Sequence, residues 1–428
     1  MKDTYHVTGS ELQRLFQRFN PFTEDLRLRP EEERKTVLAL NGNFPFELEL
    51  AGFYHSAVLD GGSPIIVQFS MGALVTAGRG LKLRSGHVNS VRAGAKLAKV
   101  TAEGYGAIYE PPFVALGLDH YALPDLRDAL FSNERPAHER PSQVGEACPS
   151  PDQVRSRLED ALGAARSYGV RSPSREDMAV WETYLCSAAY REAVEGFMAA
   201  VEEMRPAWAM IDTEKLPPVL NFAVTKEICD LVNASGIDAI LEAEYGGTAE
   251  AGDEDEYRRL SGQELEAFAR QVAGFVQYTG AGGISYPIGM RHAAPSSQKH
   301  EPDSERLETV QRQILKTTGR YVPFAQHGGT GAKRVSRGLV AKDNVNTLFL
   351  VTAAQYFAQH TDKNREAIMQ GKKSASGASM YVSASRSIME AAVRKLKECG
   401  TYGVLGRRVV NAYRGQDRGG QDRRVPVE

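Results

Sequence analysis

Short apolar runs rich in β-branched residues recur along the chain, at 36–40, 64–69, 113–118, 207–211, 239–243, 284–289, 322–326 and 338–341. Runs this short without strict alternation are the mark of strands buried on both faces. Between several of them lie stretches at 90–103, 225–234, 262–277 and 305–318 whose apolar residues return at three- and four-residue steps, the period of a helix. Buried strands alternating with helices predict a parallel sheet with helical crossovers. Eight such strands predict a closed (β/α)8 TIM barrel, and 428 residues leave room for insertions. An open doubly wound sheet is the alternative, because periodicity does not establish closure.

The pattern is interrupted once. From Tyr121 to Pro206 some 85 residues separate two strands, where one strand-helix unit takes about 30. Its first part, "NERPAHERPSQVGEACPSPDQ" (133–153), has the Pro, Ser and charge of a loop, whereas 154–165 and 175–203 have helical periodicity. The segment 121–206 is therefore expected to be a helical insertion after strand 3, a lid or an oligomer contact, inside a single barrel domain spanning 1–428. A terminal amphipathic helix is expected at 383–398, with Gly400 as its stop. The tail 414–428, with its Gly-Gln-Asp-Arg duplication, is expected to be disordered.

Composition narrows the class without changing the fold. Apolar content of 42% and charged content of 25% are those of a soluble globular protein. A formal net charge of −2 gives no electrostatic basis for nucleic acid or an anionic membrane as partner. No apolar run reaches the roughly 18 residues of a membrane span. Cys148, Cys186, Cys229 and Cys399 lack CxxC spacing and read as thiols, with a cytoplasmic location expected.

Catalysis in such a barrel sits at the C-terminal ends of the strands. The residues there are Asn41, Ser70, Asp119-His120, Asp212, Glu244, His292, His327 and Asn344, all polar. Three are histidines, out of nine in the chain, and turn chemistry favours Gly, Asn, Asp and Ser rather than His. Three imidazoles converging on one point would suit Zn²⁺ with a coordination position left for substrate. Asp212 and Glu244 could orient those histidines or bind a second ion. Asp119 precedes His120, so on a regular strand the two point opposite ways. A bend would free Asp119 as an acid or base; the competing reading is a helix N-cap. After His327 comes Gly328-Gly329-Thr330-Gly331, which lacks P-loop spacing but can turn backbone N–H groups toward an anion. "AKDNVNT" (341–347) follows at the next strand end, where barrels often hold phosphate.

These residues, in this order, resemble the zinc-dependent class II fructose-bisphosphate aldolases, class IIA in particular. The likeness lies in "SPIIVQFSMGALVTAGRG" (63–80), "AGAKLAKVTAEGYGAIYEPPFVALGLDHY" (93–121), "AMIDTEKLPPVLNFAVTKEICDLVNASGIDAILEAEYGG" (209–247), "QHGGTG" and "AKDNVNT". The resemblance implies that His120, His292 and His327 hold a catalytic Zn²⁺, with Glu244 and Asp212 at an adjacent position for a second divalent or a monovalent cation. It implies Asp119 as the acid serving the C4 hydroxyl of a ketose. Asn41, Ser70 and Asn344 would contact the triose, and Gly328, Gly329, Thr330, Asn346 and Thr347 its phosphate. The implied reaction is reversible aldol cleavage of a phosphorylated ketose to dihydroxyacetone phosphate through a zinc-stabilised enediolate, in a homodimer.

The chain departs from the family at four places. Ala293 and Ser296 replace the family's Gly and Lys after the second zinc histidine. "GGTAEAGDEDE" offers Glu250 or Glu254 for the enolisation proton without the family's Glu-Glu-Asp-Gly run. Arg386 in "SMYVSASRS" is only a substitute for the arginine of the distal phosphate, and the insertion after His120 is atypical. Together these point to retained triose chemistry with an altered acceptor. Glycolytic fructose 1,6-bisphosphate cleavage and a non-catalytic metal-binding barrel are the alternatives. A metal-dependent hydrolase is disfavoured, because the first strand lacks a His-x-His pair.

Overall fold

The computed structural model describes residues 5–80, 86–131, 150–246, 260–290, 300–373, 375 and 377–406. Eight parallel strands follow the expected order: β1 (Val37–Asn41), β2 (Ile65–Ser70), β3 (Val114–Ala122), β4 (Trp208–Asp212), β5 (Ile240–Glu244), β6 (Gly283–Ser285), β7 (Ala325–Gln326) and β8 (Lys342–Val345). Pairing runs β6-β5-β4-β3-β2-β1-β8-β7. A parallel bridge between Ile284 and Phe324 joins the two ends, with the Ile284 amide donating to Pro323 O at 3.1 Å. The sheet is thus a (β/α)8 barrel.

Helices alternate with the strands. They are α1 (Gly9–Arg18), α2 (Glu47–Val58), α3 (Met71–Gly80), α4 (His87–Tyr109), α5 (Leu126–Phe131), α6 (Pro151–Ser167), α7 (Arg175–Cys186), α8 (Ala188–Met204), α9 (Pro218–Ala234), α10 (Gly262–Thr279), α11 (Ser304–Thr318), α12 (Thr347–Met369) and α13 (Ala378–Glu398). The stretch read as helical over 175–203 is two helices, because Ser187 takes extended dihedrals and caps α8, its Oγ accepting from Tyr190 N. At the far end Gly400 adopts a left-handed φ of 72° just past α13. Among the described residues no helix is long and apolar enough to cross a membrane.

Two apolar layers hold the barrel. The larger lies between strands and helices, where Leu38, Val67, Leu116 and Ile211 meet helical residues such as Phe53, Val91 and Phe222. The smaller closes the bottom: Leu12, Leu15 and Phe16 of α1 pack on Val37, Ile66, Ala115 and Trp208, with the Phe16 and Trp208 rings 5.5 Å apart. Strand parity explains the split, since alternate residues face opposite sides. Val37, Ile66, Ala115, Trp208 and Ile240 point inward at the bottom, and the same parity delivers Asn41, Gln68, Asp119, Glu242, Glu244, Lys342 and Asn344 inward higher up.

Strand eight is displaced from the expected 338–341 to Lys342–Val345. The apolar "GLVA" run instead leads into the strand through a turn, with Val340 N donating to Ser336 O. Polar Lys342, Asp343 and Asn344 occupy the strand because each finds a buried partner. Between β3 and β4, α8 packs on α4 and β3, while α6 lies over α9 and α10. Glu227 on α9 anchors these helices: it pairs with Arg157 of α6 and Arg191 of α8, and Tyr190 OH donates to it at 2.8 Å.

Candidate active site

Asp119 is the hub of the barrel mouth. Its carboxylate, 2% exposed, accepts from Asn41 Nδ2 at 2.7 Å and from Asn344 Nδ2 at 3.0 Å, with Lys342 Nζ 3.8 Å away. Gln68 Nε2 in turn donates to Asn41 Oδ1 at 2.6 Å. Residues of β1, β2 and β8 thus aim the β3 carboxylate, and the helix N-cap reading of Asp119 is replaced by an interior one. His120 should point away from Asp119 on a regular strand. Here the β3–β4 register breaks between Leu118 and Tyr121, and His120 takes a left-handed φ of 39°. That twist brings its ring to the mouth beside its neighbour's carboxylate, with Nδ1 3.5 Å from Asp212 Oδ2 and its ring centroid 4.5 Å from that of His327.

His327 follows β7 directly and is buried. Its Nε2 donates to Glu242 Oε1 at 2.9 Å, and its Nδ1 lies 3.7 Å from Glu244 Oε1. Glu242 also accepts from Trp208 Nε1 at 2.5 Å and from Lys342 Nζ at 3.0 Å. A carboxylate with three donors fixes which histidine nitrogen carries the proton, leaving Nδ1, the nitrogen that faces Glu244, as an acceptor. Glu242, Lys342 and Gln68 were missing from the sequence reading, which weighed only strand-terminal residues. The available signal was parity, since Glu242 stands two residues before Glu244 and Gln68 two before Ser70.

Charge in this cavity is unbalanced. Burial pushes the His120 imidazolium down, but Asp119, Asp212 and Glu242 outweigh it and lift it to about 9. His327 is pushed below the ordinary histidine value by burial and by His120, against the pull of Glu242. Burial raises Glu242, yet Lys342 and His327 hold it well below the usual carboxylate range. Glu244 moves the other way, far above that range, through burial and the nearby Asp212, Glu214 and Glu242.

Among the described residues no three His, Cys, Asp or Glu side chains already form a coordination sphere, and His292 lies outside those residues. The groups present nonetheless fit a divalent cation. Among the described residues, Glu244 Oε2 is buried without a hydrogen-bond donor. Asp119, Asp212, Glu242 and Glu244 share the cavity with one buried lysine, Lys342, and imidazole with carboxylate is a donor set suited to zinc.

A glycine turn adjoins this cavity. Gly328 turns at φ 72°, and at Gly329 a Cβ would stand 2.1 Å from Asp343 Oδ1 and 2.7 Å from Asn344 O, so only glycine fits. Thr330 Oγ1 accepts from Leu348 N at 3.2 Å, which seats the turn against the N-terminus of α12. There the orphan N–H groups of a 23-residue helix favour negative charge. Asn346 Oδ1 accepts from Asn43 Nδ2 at 3.0 Å. Glu49, 3% exposed, holds Asn43 through its amide at 2.5 Å and its side chain at 3.2 Å.

Asn41, Asp119, His120, Asp212, Glu244, His327 and Asn344 therefore meet at one mouth, and Gly328, Gly329, Thr330, Asn346 and Thr347 form its neighbouring rim. Ser70 pairs with Asp119 in register, its Oγ accepting from Ala73 N at 3.3 Å. Arg386 lines an outer groove of 410 Å³ with Glu47, His55, Tyr105 and Tyr109, between α2, α4 and α13. His292, Glu250, Glu254, Ala293, Ser296 and the tail 414–428 lie outside the described residues.

The family model for fructose-bisphosphate aldolase class II matches residues 191–404, half of the chain. The chain belongs to the class II fructose-bisphosphate aldolase family. It is thus an aldolase-type lyase of a family that generally depends on a divalent metal. The match begins at α8 and covers the strands of Asp212, Glu242, Glu244, His327 and Asn344. Asn41, Ser70, Asp119 and His120 precede it. The whole barrel is similar to a fructose-bisphosphate aldolase of Campylobacter jejuni, with a TM-score of 0.57 at 15% identity, over 94% of this chain and 97% of that one. The YdjI aldolase of Escherichia coli K12 aligns at a TM-score of 0.46 and 16% identity, over 87% of this chain and 94% of the other. No curated protein sequence matches significantly.

Proposed function

We propose that this aldolase cleaves a phosphorylated ketose to dihydroxyacetone phosphate and an aldehyde other than the glycolytic one. The observation that carries the reading is Asp119, aimed by Asn41 and Asn344 near two histidines whose rings lie 4.5 Å apart, and beside a glycine turn. Asp119 takes the proton from the C4 hydroxyl during cleavage and returns it during condensation. Asn41 and Asn344 hold its two oxygens in position and border the triose with Ser70. Backbone N–H groups at Gly328, Gly329 and Thr330, with Asn346 and Thr347 at the head of α12, bind the phosphate. Zn²⁺ held by His120, His292 and His327, with Glu244 and Asp212 available to an adjacent divalent or monovalent cation, would supply Lewis-acid polarisation of the ketone. The enolisation proton moves on Glu250 or Glu254.

The altered acceptor is supported by Ala293 and Ser296 in place of Gly and Lys, and by the position of Arg386 on an outer groove. A distal phosphate would need a cation that these positions do not supply. Fructose 1,6-bisphosphate is the second reading, favoured by the intact Asp119-His120 and His327-Gly328-Gly329 segments. We take the working form to be a cytoplasmic homodimer; Cys229 and Cys399 are buried thiols, and size-exclusion chromatography with light scattering tests the stoichiometry. The functional test is a panel of aldehydes offered to the zinc-loaded protein with dihydroxyacetone phosphate. Condensation with an uncharged or shorter aldehyde, faster than with glyceraldehyde 3-phosphate, is the expected result. Preference for glyceraldehyde 3-phosphate would establish the second reading instead.

A further inference from the structure

Behind the glycine turn, on the outer side of β8, lies a second ionic cluster. Asp343 is fully buried; its Oδ1 accepts from Gln326 Nε2 at 3.0 Å, and its Oδ2 lies 3.4 Å from Lys395 Nζ. Lys395, on the last turn of α13 and 5% exposed, also pairs with Glu398 Oε2 at 2.9 Å. These two partners would suffice to dock α13 on the barrel. The ammonium makes a third contact, donating to the backbone carbonyl of Gly329 at 3.3 Å. Burial would push this lysine down, but Asp343, Cys399 and Glu398 outweigh it and keep the ammonium charged.

The third contact has a directional consequence. A trans peptide unit is planar, so a carbonyl and the next residue's N–H point opposite ways. Drawing the Gly329 carbonyl toward α13 turns the Thr330 N–H away from α13. The turn is closed by Gly331 N donating to Gly328 O at 3.0 Å and, more loosely, Ala332 N to Gly329 O at 3.4 Å; with glycines at 328, 329 and 331, the lysine adds a further constraint on the orientation of the Gly329 carbonyl. Asp343 sets the other limit, because its Oδ1 occupies the space a Cβ at Gly329 would need.

We propose that Lys395, held by Asp343, is a positioning residue that fixes the Gly329–Thr330 peptide for binding the ketose phosphate. The proposal rests on the triose-phosphate reading above. It predicts a loss in binding that follows the phosphate and leaves the chemical step nearly alone.

The test uses the full zinc-loaded chain, titrated calorimetrically with inorganic phosphate and assayed for hydrogen exchange of dihydroxyacetone phosphate. Lys395→Met should weaken phosphate binding and raise KM about tenfold with kcat within about twofold. Lys395→Arg, which keeps the cation, should recover part of the loss. Asp343→Asn should move KM in the same direction and decides the matter if Lys395→Met does not fold. Unchanged phosphate affinity in the folded variants, or a fall in kcat at constant KM, overturns the brace and leaves the triose-phosphate reading standing. Absence of phosphate binding in the metal-loaded wild type overturns both.

Discussion

At His120 the backbone enters the left-handed region, φ 39°, at a cost of about 1–2 kcal/mol for a residue with a Cβ. The twist lets consecutive residues of β3 both serve the mouth, which strand alternation alone forbids. His327 needs no such distortion, since it follows β7 and is oriented by Glu242. Replacing His327 by Ala should lower bound zinc and activity together, read by metal analysis of the purified protein; an unchanged zinc content would remove it from the ligand set. Glu49 offers a separate check through pH. Burial lifts its carboxyl from 4.5 to about 7, against the donors of Asn43. The folded state therefore keeps a proton that the unfolded chain has released. Stability should fall as pH rises from about 4.5 to about 7 and level off above that, by about 3 kcal/mol for this group. Glu49→Gln should flatten that part of the curve in urea titrations at several pH values.

Among the elements, β8 and α12 depart furthest from hydropathy patterning. The sequence reading put strand eight on "GLVA", because apolar runs are the usual signal of a buried parallel strand. The strand instead carries Lys342, Asp343 and Asn344, whose burial is balanced by Glu242, Lys395 and Asp119. Such compensation comes from residues far away in the chain, so no local pattern announces it. The opposite held for α4, α9, α10 and α11, where the three-and-four spacing was visible and only the ends shifted. Helix α12 escaped notice since only Phe349 and Ala353 of its 23 residues are buried. Besides its apolar face, α6 is tied to the barrel by Arg157 with Glu227, which also holds Arg191 of α8. Glu227→Gln leaves buried guanidinium groups under-compensated and should destabilise the fold by about 2–3 kcal/mol, allowing for the partial exposure of Arg157. Equilibrium unfolding in urea reads this; a change below about 0.5 kcal/mol would mean the cluster does not anchor α6.

Over the whole molecule, barrel closure and the gathering of polar strand ends follow from alternating apolar runs and from where each run stops. The sequence reading reached Asp119, His120, Asp212, Glu244, His327 and Asn344 because each stands at or beside the end of a strand. It missed Glu242, Lys342 and Gln68, which stand deeper in the barrel and act by orienting the others. The site draws Asn41, Asp119 and His120 from the half of the chain before the family match, and Glu242, Glu244, His327 and Asn344 from the half within it. The proposed triose-phosphate chemistry would draw on both halves, joined in one barrel as a metal site beside a phosphate-binding turn. The most direct test is to incubate the zinc-loaded protein with dihydroxyacetone phosphate in deuterated water, without an aldehyde, and follow C3 by NMR. Loss of one C3 hydrogen to solvent is the result expected here; no exchange, with zinc bound in full, would contradict it.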